Sequence, residues 1–174
     1  MTALVVYESV YGNTREVAEA VAAGLGDARV VSVQEAIKHV HEAELLVVGG
    51  PTHIHGMTTA RSRRAAAEDR KTHAFPGVAD GPGVRDWLRD LPQIANAQAA
   101  AFDTRVHGSP LLTGSASRGI GRRLRRHGYT VVGAESFVVT GTEGPLAEGE
   151  LNRARAWGTE LARALPRTVG GATE

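Results

Sequence analysis

Cysteine is absent from the 174 residues of this chain. Without cysteine the chain can form no disulfide, no thiolate zinc site and no cysteine-ligated iron–sulfur cluster, and it has no thiol nucleophile. Any redox chemistry therefore requires a bound organic cofactor. Apolar runs such as residues 45–48 are far shorter than the roughly 20 residues that a membrane-spanning helix needs. Because the N-terminus shows no basic segment followed by a cleavage site, we expect a cytoplasmic protein with no membrane partner.

An excess of either charge is missing as well. The chain has 20 Lys and Arg residues against 19 Asp and Glu residues, which gives a net charge of +1. This balance argues against nucleic acid or an anionic membrane as the partner. The hydrophobic share of 42% and the charged share of 22% are ordinary for a soluble globular protein. Length and composition predict one domain over residues 1–165, followed by a flexible tail over residues 166–174.

Strand and helix patterns alternate along the chain. Short apolar runs rich in β-branched residues are followed by segments with apolar residues at spacings of three and four. The predicted strands are residues 3–7, 28–33, 45–48, 97–102 and 130–139. Because parallel strands need crossover connections, the pattern predicts an α/β fold with a parallel, doubly wound sheet. Ligands of such sheets bind at the carboxyl ends of the strands, so the segments that follow the strands are the candidate site.

The loop after the first predicted strand is rich in hydroxyl and amide groups. Its sequence over residues 8–14 is ESVYGNT, and it leads into the first predicted helix. Side-chain donors and backbone N–H groups at a helix N-terminus can bind a phosphate. Because the loop lacks lysine and the P-loop pattern, it favours a monophosphate over a nucleoside triphosphate. An alternative is that Ser9 and Thr14 only cap the helix.

The segment after the third predicted strand contains glycine and proline. Its sequence over residues 49–57, GGPTHIHGM, would let the backbone approach a flat heterocycle closely. His53 and His55 also suggest a metal site together with Asp103 or His107. This spacing matches no known metal motif, so we predict no metal site.

These segments resemble those of the flavodoxin-like family of FMN-binding proteins. The resemblance rests on SVYGNT after the first strand, GPTH after the third and AFDTR at the fourth, and it covers almost the whole chain in the expected order. It implies a three-layer sandwich with a five-stranded parallel sheet in the order 2-1-3-4-5, and FMN as the cofactor. The residues that the resemblance assigns to the FMN phosphate are Ser9, Val10, Tyr11, Gly12, Asn13 and Thr14. Those assigned to the flavin ring are Pro51, Thr52, His53 and Gly56 on one side, and Asp103, Thr104, Arg105, His107 and Gly108 on the other.

The chain departs from typical flavodoxins in three ways. Its net charge of +1 contrasts with the acidic character of flavodoxins that carry electrons. Neither ring segment contains Trp or Tyr, and the resemblance puts His107 where flavodoxins commonly have a stacking tyrosine. Residues 58–91 form an insertion, which is either a lid or a segment that brings Trp87 toward the ring.

Three further features have alternative interpretations. Residues 113–121 resemble the glycine-rich loop of short-chain dehydrogenases, but the chain lacks that family's Tyr-x-x-x-Lys pair, so we interpret them as a turn into a helix. Five arginines within residues 118–126 form either a solvated face or a patch for an acidic partner or the phosphates of NADPH. Arg105 either lies near the ring, where it favours reduced anionic flavin, or pairs with Asp103 or another carboxylate.

The function predicted from these residues is a redox reaction at bound FMN. The chain either carries electrons to and from a redox partner protein or uses NAD(P)H to reduce a quinone-type acceptor, and no catalytic side chain is required. The alternative is a non-enzymatic flavodoxin-like binding module that has lost FMN or binds it weakly. The sequence provides no prediction of the oligomeric state.

Overall fold

The computed structural model describes residues 2–36, 43–53, 56–68, 81–94, 97–108 and 114–165. The strands are β1 (Ala3–Tyr7), β2 (Ala28–Ser32), β3 (Leu45–His53), β4 (Gly56–Met57), β5 (Gln98–Val106) and β6 (Thr130–Val139). The helices are α1 (Asn13–Leu25), α2 (Ala60–Glu68), α3 (Val84–Arg89), α4 (Ala116–Arg126) and α5 (Glu150–Ala164). Residues 69–80 of the predicted insertion and residues 166–174 of the predicted tail lie outside the described residues. No helix in the described part of the chain is both long and apolar enough to cross a membrane.

Five of the strands form a parallel sheet in the order β2-β1-β3-β5-β6. This arrangement confirms the five parallel strands and the strand order that the family resemblance implies. The sixth strand, β4, was not predicted, and it pairs antiparallel with the end of β3 through Met57 and Thr52.

A hydrophobic layer covers each face of the sheet. On one face α3 and α4 contribute buried residues such as Leu88 and Leu124. On the other face α1 and α5 contribute residues such as Val17 and Leu161. Each of these helices buries the side on which its apolar residues recur at helical spacing. The result is the three-layer α/β sandwich that the sequence predicts.

Two strands continue beyond the ends that the sequence predicts. The local pattern ends β3 at residue 48 and β5 at residue 102, because glycine, proline and polar residues follow. In the structure these strands pair with each other as far as Pro51 and Thr104, and they end at His53 and Val106. Pairing across the sheet satisfies the backbone groups of this turn-like sequence. Much of the predicted ring-binding sequence therefore lies in strands and not in loops.

Gly49 makes room for a core aromatic cluster. A Cβ atom at Gly49 would lie 2.0 Å from Cζ of Phe102. Phe102 is fully buried and makes edge-to-face contacts with Phe137 and Trp157. This packing corrects the prediction that Gly49 brings the backbone close to a ligand.

Candidate functional site

A cavity of about 290 Å³ lies at the carboxyl edge of the sheet, beside the ends of β3 and β5. Its wall combines these strand ends with the loop after β1, α2, the end of β6 and the segment that follows β6. The lining residues are Val10, Tyr11, Asn13, Thr14, Pro51, Thr52, His53, Thr58, Ser62, Arg63, Ala66, Thr104, Arg105, Val106, Val139 and Thr142. The topology therefore brings the three predicted segments to one place.

The N-terminus of α1 lies at this cavity, because Asn13 and Thr14 of its first turn line the wall. Gly12 precedes the helix with a φ of 98°, a left-handed conformation that glycine adopts without strain. Glu16 is the first residue whose N–H bonds within the helix, to Gly12 O at 3.0 Å. The N–H groups of residues 13–15 thus have no acceptor inside the helix. Together with the helix dipole, they favour an anion at this position.

The hydroxyl groups of this loop do not cap α1, which has no side-chain cap. Ser9 Oγ accepts a hydrogen bond from Gly12 N at 3.0 Å, so the Ser9 hydroxyl keeps its own proton for another acceptor. Thr14 Oγ1 lies 2.8 Å from Thr104 Oγ1. One of the two hydroxyl groups donates its proton to the other, so the second hydroxyl proton can be donated to another acceptor. The helix-capping alternative is therefore wrong.

Asn13 joins the first loop to the segment after β6. Its Nδ2 donates a hydrogen bond to Glu143 O at 2.8 Å. The neighbouring Thr142 contributes to the cavity wall. This bond occupies one amide proton of Asn13 and ties the segment after β6 to the N-terminus of α1.

A buried ion pair lies at the wall of the cavity, to which Arg63 contributes. Glu8 is 4% exposed and Arg63 is 3% exposed, and Arg63 Nη1 lies 4.0 Å from Glu8 Oε1. Thr58 Oγ1 donates a hydrogen bond to Glu8 Oε1, and Val84 N donates one to Glu8 Oε2 at 2.7 Å. The carboxylate therefore has three donors or cations around it, which offsets the cost of burying its charge.

Arg63 also joins α2 to the start of α3. Its Nη2 donates to Gly81 O at 3.3 Å and to Asp86 Oδ2 at 3.4 Å. Gly83 lies against the pair so closely that a Cβ atom there would be 2.1 Å from Arg63 Nη1. The pair of Glu8 and Arg63 thus holds the first loop, α2 and the start of α3 together around the cavity.

Comparison with known proteins agrees with this geometry. A family model described as flavodoxin matches residues 5–157. The chain belongs to the flavodoxin family. This is a family of FMN-binding electron-transfer proteins, so FMN is the cofactor and electron transfer the class of activity at the level of the family.

Solved flavodoxin structures share the fold of the chain. A flavodoxin from the domain Archaea is 23% identical, with a TM-score of 0.60 over 94% of this chain and 97% of its own. Flavodoxin 1 from Bacillus cereus is 15% identical, with a TM-score of 0.64 over 95% of this chain and 100% of its own. A flavodoxin from Fusobacterium nucleatum, solved bound to flavin mononucleotide, is 15% identical, with a TM-score of 0.60 over 95% of this chain and 99% of its own. The search of curated proteins finds no match.

The cavity includes many of the residues assigned to FMN from the sequence. Those in its lining are Val10, Tyr11, Asn13, Thr14, Pro51, Thr52, His53, Thr104 and Arg105. Those outside its lining are Ser9, Gly12, Gly56, Asp103, His107 and Gly108. Ser9 and Gly12 shape the loop through their mutual hydrogen bond, and their contact with FMN stays a prediction.

Asp103 faces α4 and not the cavity. It is fully buried, and its Oδ2 accepts hydrogen bonds from Ser115 Oγ at 2.9 Å and Ser117 N at 2.8 Å. Successive side chains of a strand point to opposite faces, so Thr104 is the residue of this pair that meets Thr14. Asp103 therefore caps a helix. The N-cap residue of α4 itself is Ser115, whose Oγ accepts a hydrogen bond from Arg118 N.

Arg105 lies in the cavity wall and donates a hydrogen bond to Gly108 O at 3.0 Å. The carboxylate of Asp103, its alternative partner from the sequence, is bonded to α4. Arg105 therefore lies in the cavity wall without pairing with Asp103, and a pair with another carboxylate stays an alternative.

Few rings reach the cavity. Trp87 is 5% exposed and packs into the core between the sheet and α4. The alternative in which the 58–91 insertion brings Trp87 toward the flavin ring is therefore wrong. His107 is exposed and lies outside the lining. Among the described residues, Tyr11 and His53 are the ones that bring an aromatic ring to the cavity wall.

Sequence reasoning includes α2 in the 58–91 insertion, but it assigns to the site no individual residue of α2, neither the last residue of β5 nor that of β6, and none of the segment after β6 that reaches the cavity wall. The missed residues are Thr58, Ser62, Arg63, Ala66, Val106, Val139 and Thr142. No local signal marks them, because each reaches the cavity through contacts between distant elements. No group of three metal-ligating side chains occurs within the described ranges. Because His55 lies outside them, the metal alternative is not tested.

Proposed function

We propose that the chain binds FMN in this cavity and transfers electrons between the flavin and a redox partner protein. The observation that carries the proposal is the meeting of the α1 N-terminus with the ends of β3 and β5 in one cavity. Bound FMN supplies the electron-accepting and electron-donating chemistry. The residues of the chain bind the cofactor, orient it and set the charge around it.

The two ends of FMN would be held by different chemistry. The N–H groups of residues 13–15 and the Ser9 hydroxyl suit the phosphate, because they offer donors without an acceptor in the helix. The segment from Pro51 to His53 and the segment from Thr104 to Val106 would flank the ring. Arg105 would add a positive charge beside the ring, which favours the reduced, electron-rich flavin over the oxidised one.

Cofactor analysis of the purified protein tests this proposal first. We expect a yellow protein whose released ligand runs as FMN on HPLC, and not as riboflavin or FAD. A protein that contains no flavin and does not take up added FMN would support the alternative of a binding module that has lost its cofactor. Bleaching of the flavin by added NADPH or NADH would favour an NAD(P)H-dependent reductase over a carrier.

A double substitution tests the phosphate position. Ser9→Ala with Thr14→Ala removes hydroxyl donors to a charged group, each worth roughly 1.5–3 kcal/mol, or about 10- to 150-fold in Kd. Riboflavin, which lacks the phosphate, is the matched control ligand and should bind both proteins alike. If the double variant bound FMN as tightly as the wild type, the phosphate would not lie at this loop.

A further inference from the structure

Among the described helices, α4 has the largest excess of basic over acidic residues. Four of its arginines, Arg118, Arg122, Arg125 and Arg126, are exposed, and we call them the arginine stripe. Their spacing of four, three and one residues puts them on one face of the helix. The stripe is about 12 Å long, since each helical residue adds about 1.5 Å.

The charge of the stripe is not balanced within the described part of the chain. None of its four side chains makes an ion pair or hydrogen bond there, whereas Arg15 and Arg153 on other helices pair with carboxylates. The helix carries no acidic residue and five arginines. The rest of the chain, with 15 basic and 19 acidic residues, therefore has a net charge of −4.

Like charges are crowded around the stripe. Burial lowers the pKa of the adjacent Arg123, and the positive charges of Arg85, Arg126 and Arg122 lower it further. Arg85 belongs to α3, and its guanidinium donates to Met57 O at 2.8 Å, so it is held beside α4. An acidic surface placed on this face would relieve the repulsion.

The stripe begins beside the cavity. Ala116 N, in the first turn of α4, donates a hydrogen bond to Thr52 Oγ1 at 2.9 Å, and Thr52 lines the cavity. Arg118 follows two residues later. A protein bound to the stripe would therefore lie next to the site proposed for the flavin.

We infer that the arginine stripe is the docking surface for an acidic redox protein. The inference rests on the proposed function, because that function requires a partner near the flavin. A nucleotide fits this surface less well, since small ligands bind in concave sites and the stripe lies on an exposed helix face outside the cavity lining. A nucleic acid also fits less well. A long polyanion bound to the stripe would extend beyond α4, and the rest of the chain, with its net charge of −4, would repel it.

Binding of a labelled acidic protein tests the inference directly. The probe is a plant-type [2Fe–2S] ferredoxin, a small acidic electron carrier, followed by fluorescence anisotropy in its oxidised form. We expect binding that weakens between about 20 mM and about 200 mM salt. Arg122→Glu with Arg125→Glu should weaken it by about tenfold or more, because like charges then face each other.

A matched control separates the stripe from net charge. Arg155→Glu with Arg163→Glu makes the same change in charge at exposed positions of α5, and it should alter the Kd less than about twofold. Equal losses in both double variants, or no salt-dependent binding by the wild type, would overturn the inference. Binding of a 20-base-pair DNA duplex with a lower Kd than ferredoxin would also overturn it. So would displacement of ferredoxin by NADP⁺, if the stripe substitutions abolished NADP⁺ binding. Because oxidised ferredoxin can bind with or without flavin in the cavity, failure of the proposed FMN site would appear separately, in the cofactor analysis.

Discussion

The buried pair of Glu8 and Arg63 is the feature whose loss we expect to destabilise the fold most. Glu8→Gln keeps the shape of the side chain and one acceptor oxygen, but it removes the negative charge that lies 4.0 Å from Arg63 Nη1. Because the two residues are only 4% and 3% exposed, water cannot replace the missing partner. The substitution therefore leaves a guanidinium buried without its main counter-charge.

The magnitude follows from distance and burial. Two unit charges 4 Å apart attract by about 4 kcal/mol at an effective dielectric constant of about 20. Removal of one partner from a buried pair costs about 3–5 kcal/mol. Arg63 keeps a contact with Asp86, whose side chain is 31% exposed, so we expect the lower end, about 3 kcal/mol. Arg63→Met should cost less, because the Glu8 carboxylate keeps its hydrogen bonds from Thr58 and Val84.

Both substitutions remove the same attraction, so their effects should not add. We expect the double variant to lose about 1–3 kcal/mol less than the sum of the single variants. The measurement is urea unfolding of the flavin-free protein at pH 7, followed by far-UV circular dichroism. The control cycle uses Arg15 and Glu19, whose groups are only 2.8 Å apart but whose side chains are 53% and 52% exposed. If both pairs gave the same coupling energy, burial would not be what makes the Glu8–Arg63 contact strong.

Three further predictions concern stability. Burial raises the pKa of Tyr129 to about 12. The unfolded chain loses this proton near pH 10. The free energy of unfolding should therefore fall by up to about 1.4 kcal/mol per pH unit between pH 10 and 12. Urea unfolding at alkaline pH measures this slope, and Tyr129→Phe should remove it. Burial acts to raise the pKa of Glu150, but hydrogen bonds from an arginine and a backbone N–H outweigh it and lower the pKa. Glu150 therefore stabilises the fold above its ordinary pKa, and Glu150→Gln should flatten the loss of stability on acidification. Gly49→Ala should cost about 1–3 kcal/mol because its Cβ would overlap the Phe102 ring, whereas Gly56→Ala, with open space around it, should cost little in the same assay.

The alternation of strands and helices could be predicted because it depends on local signals, whereas the order of the strands in the sheet was implied by the resemblance to the flavodoxin-like family. Apolar strands and amphipathic helices alternate, and each pattern lies within a few residues of sequence. The strand ends could not be predicted in the same way. Gly50 and Pro51 have the composition of a turn, and only the pairing of Pro51 with Thr104 on β5 makes them part of a strand. The same pairing turns Asp103 toward α4, so it moves one predicted site residue away from the cavity.

The residues of the site also differ in whether a local sequence pattern or only a contact between distant elements identifies them. The residues of the first loop could be recognised because hydroxyls, an amide and a glycine before a helix are a local pattern. Arg63 has the opposite character. It lies on a helix whose only apolar residues are alanines, beside Arg61 and Arg64, which are exposed. A search for an apolar face therefore finds none on α2, although the residue that α2 buries is Arg63.

Charge complementarity explains why this helix packs on the molecule without large apolar residues. A charged side chain is almost never fully buried unless it has a partner. Glu8 directly follows an apolar strand, where its carboxylate would be left in a low-dielectric environment. A carboxylate at the end of a buried strand thus requires a cation from another element, and a helix that offers arginine but no large apolar residue can meet that requirement. Glu8 and Arg63 are 55 residues apart in sequence, so neither residue identifies the other until the fold brings them together.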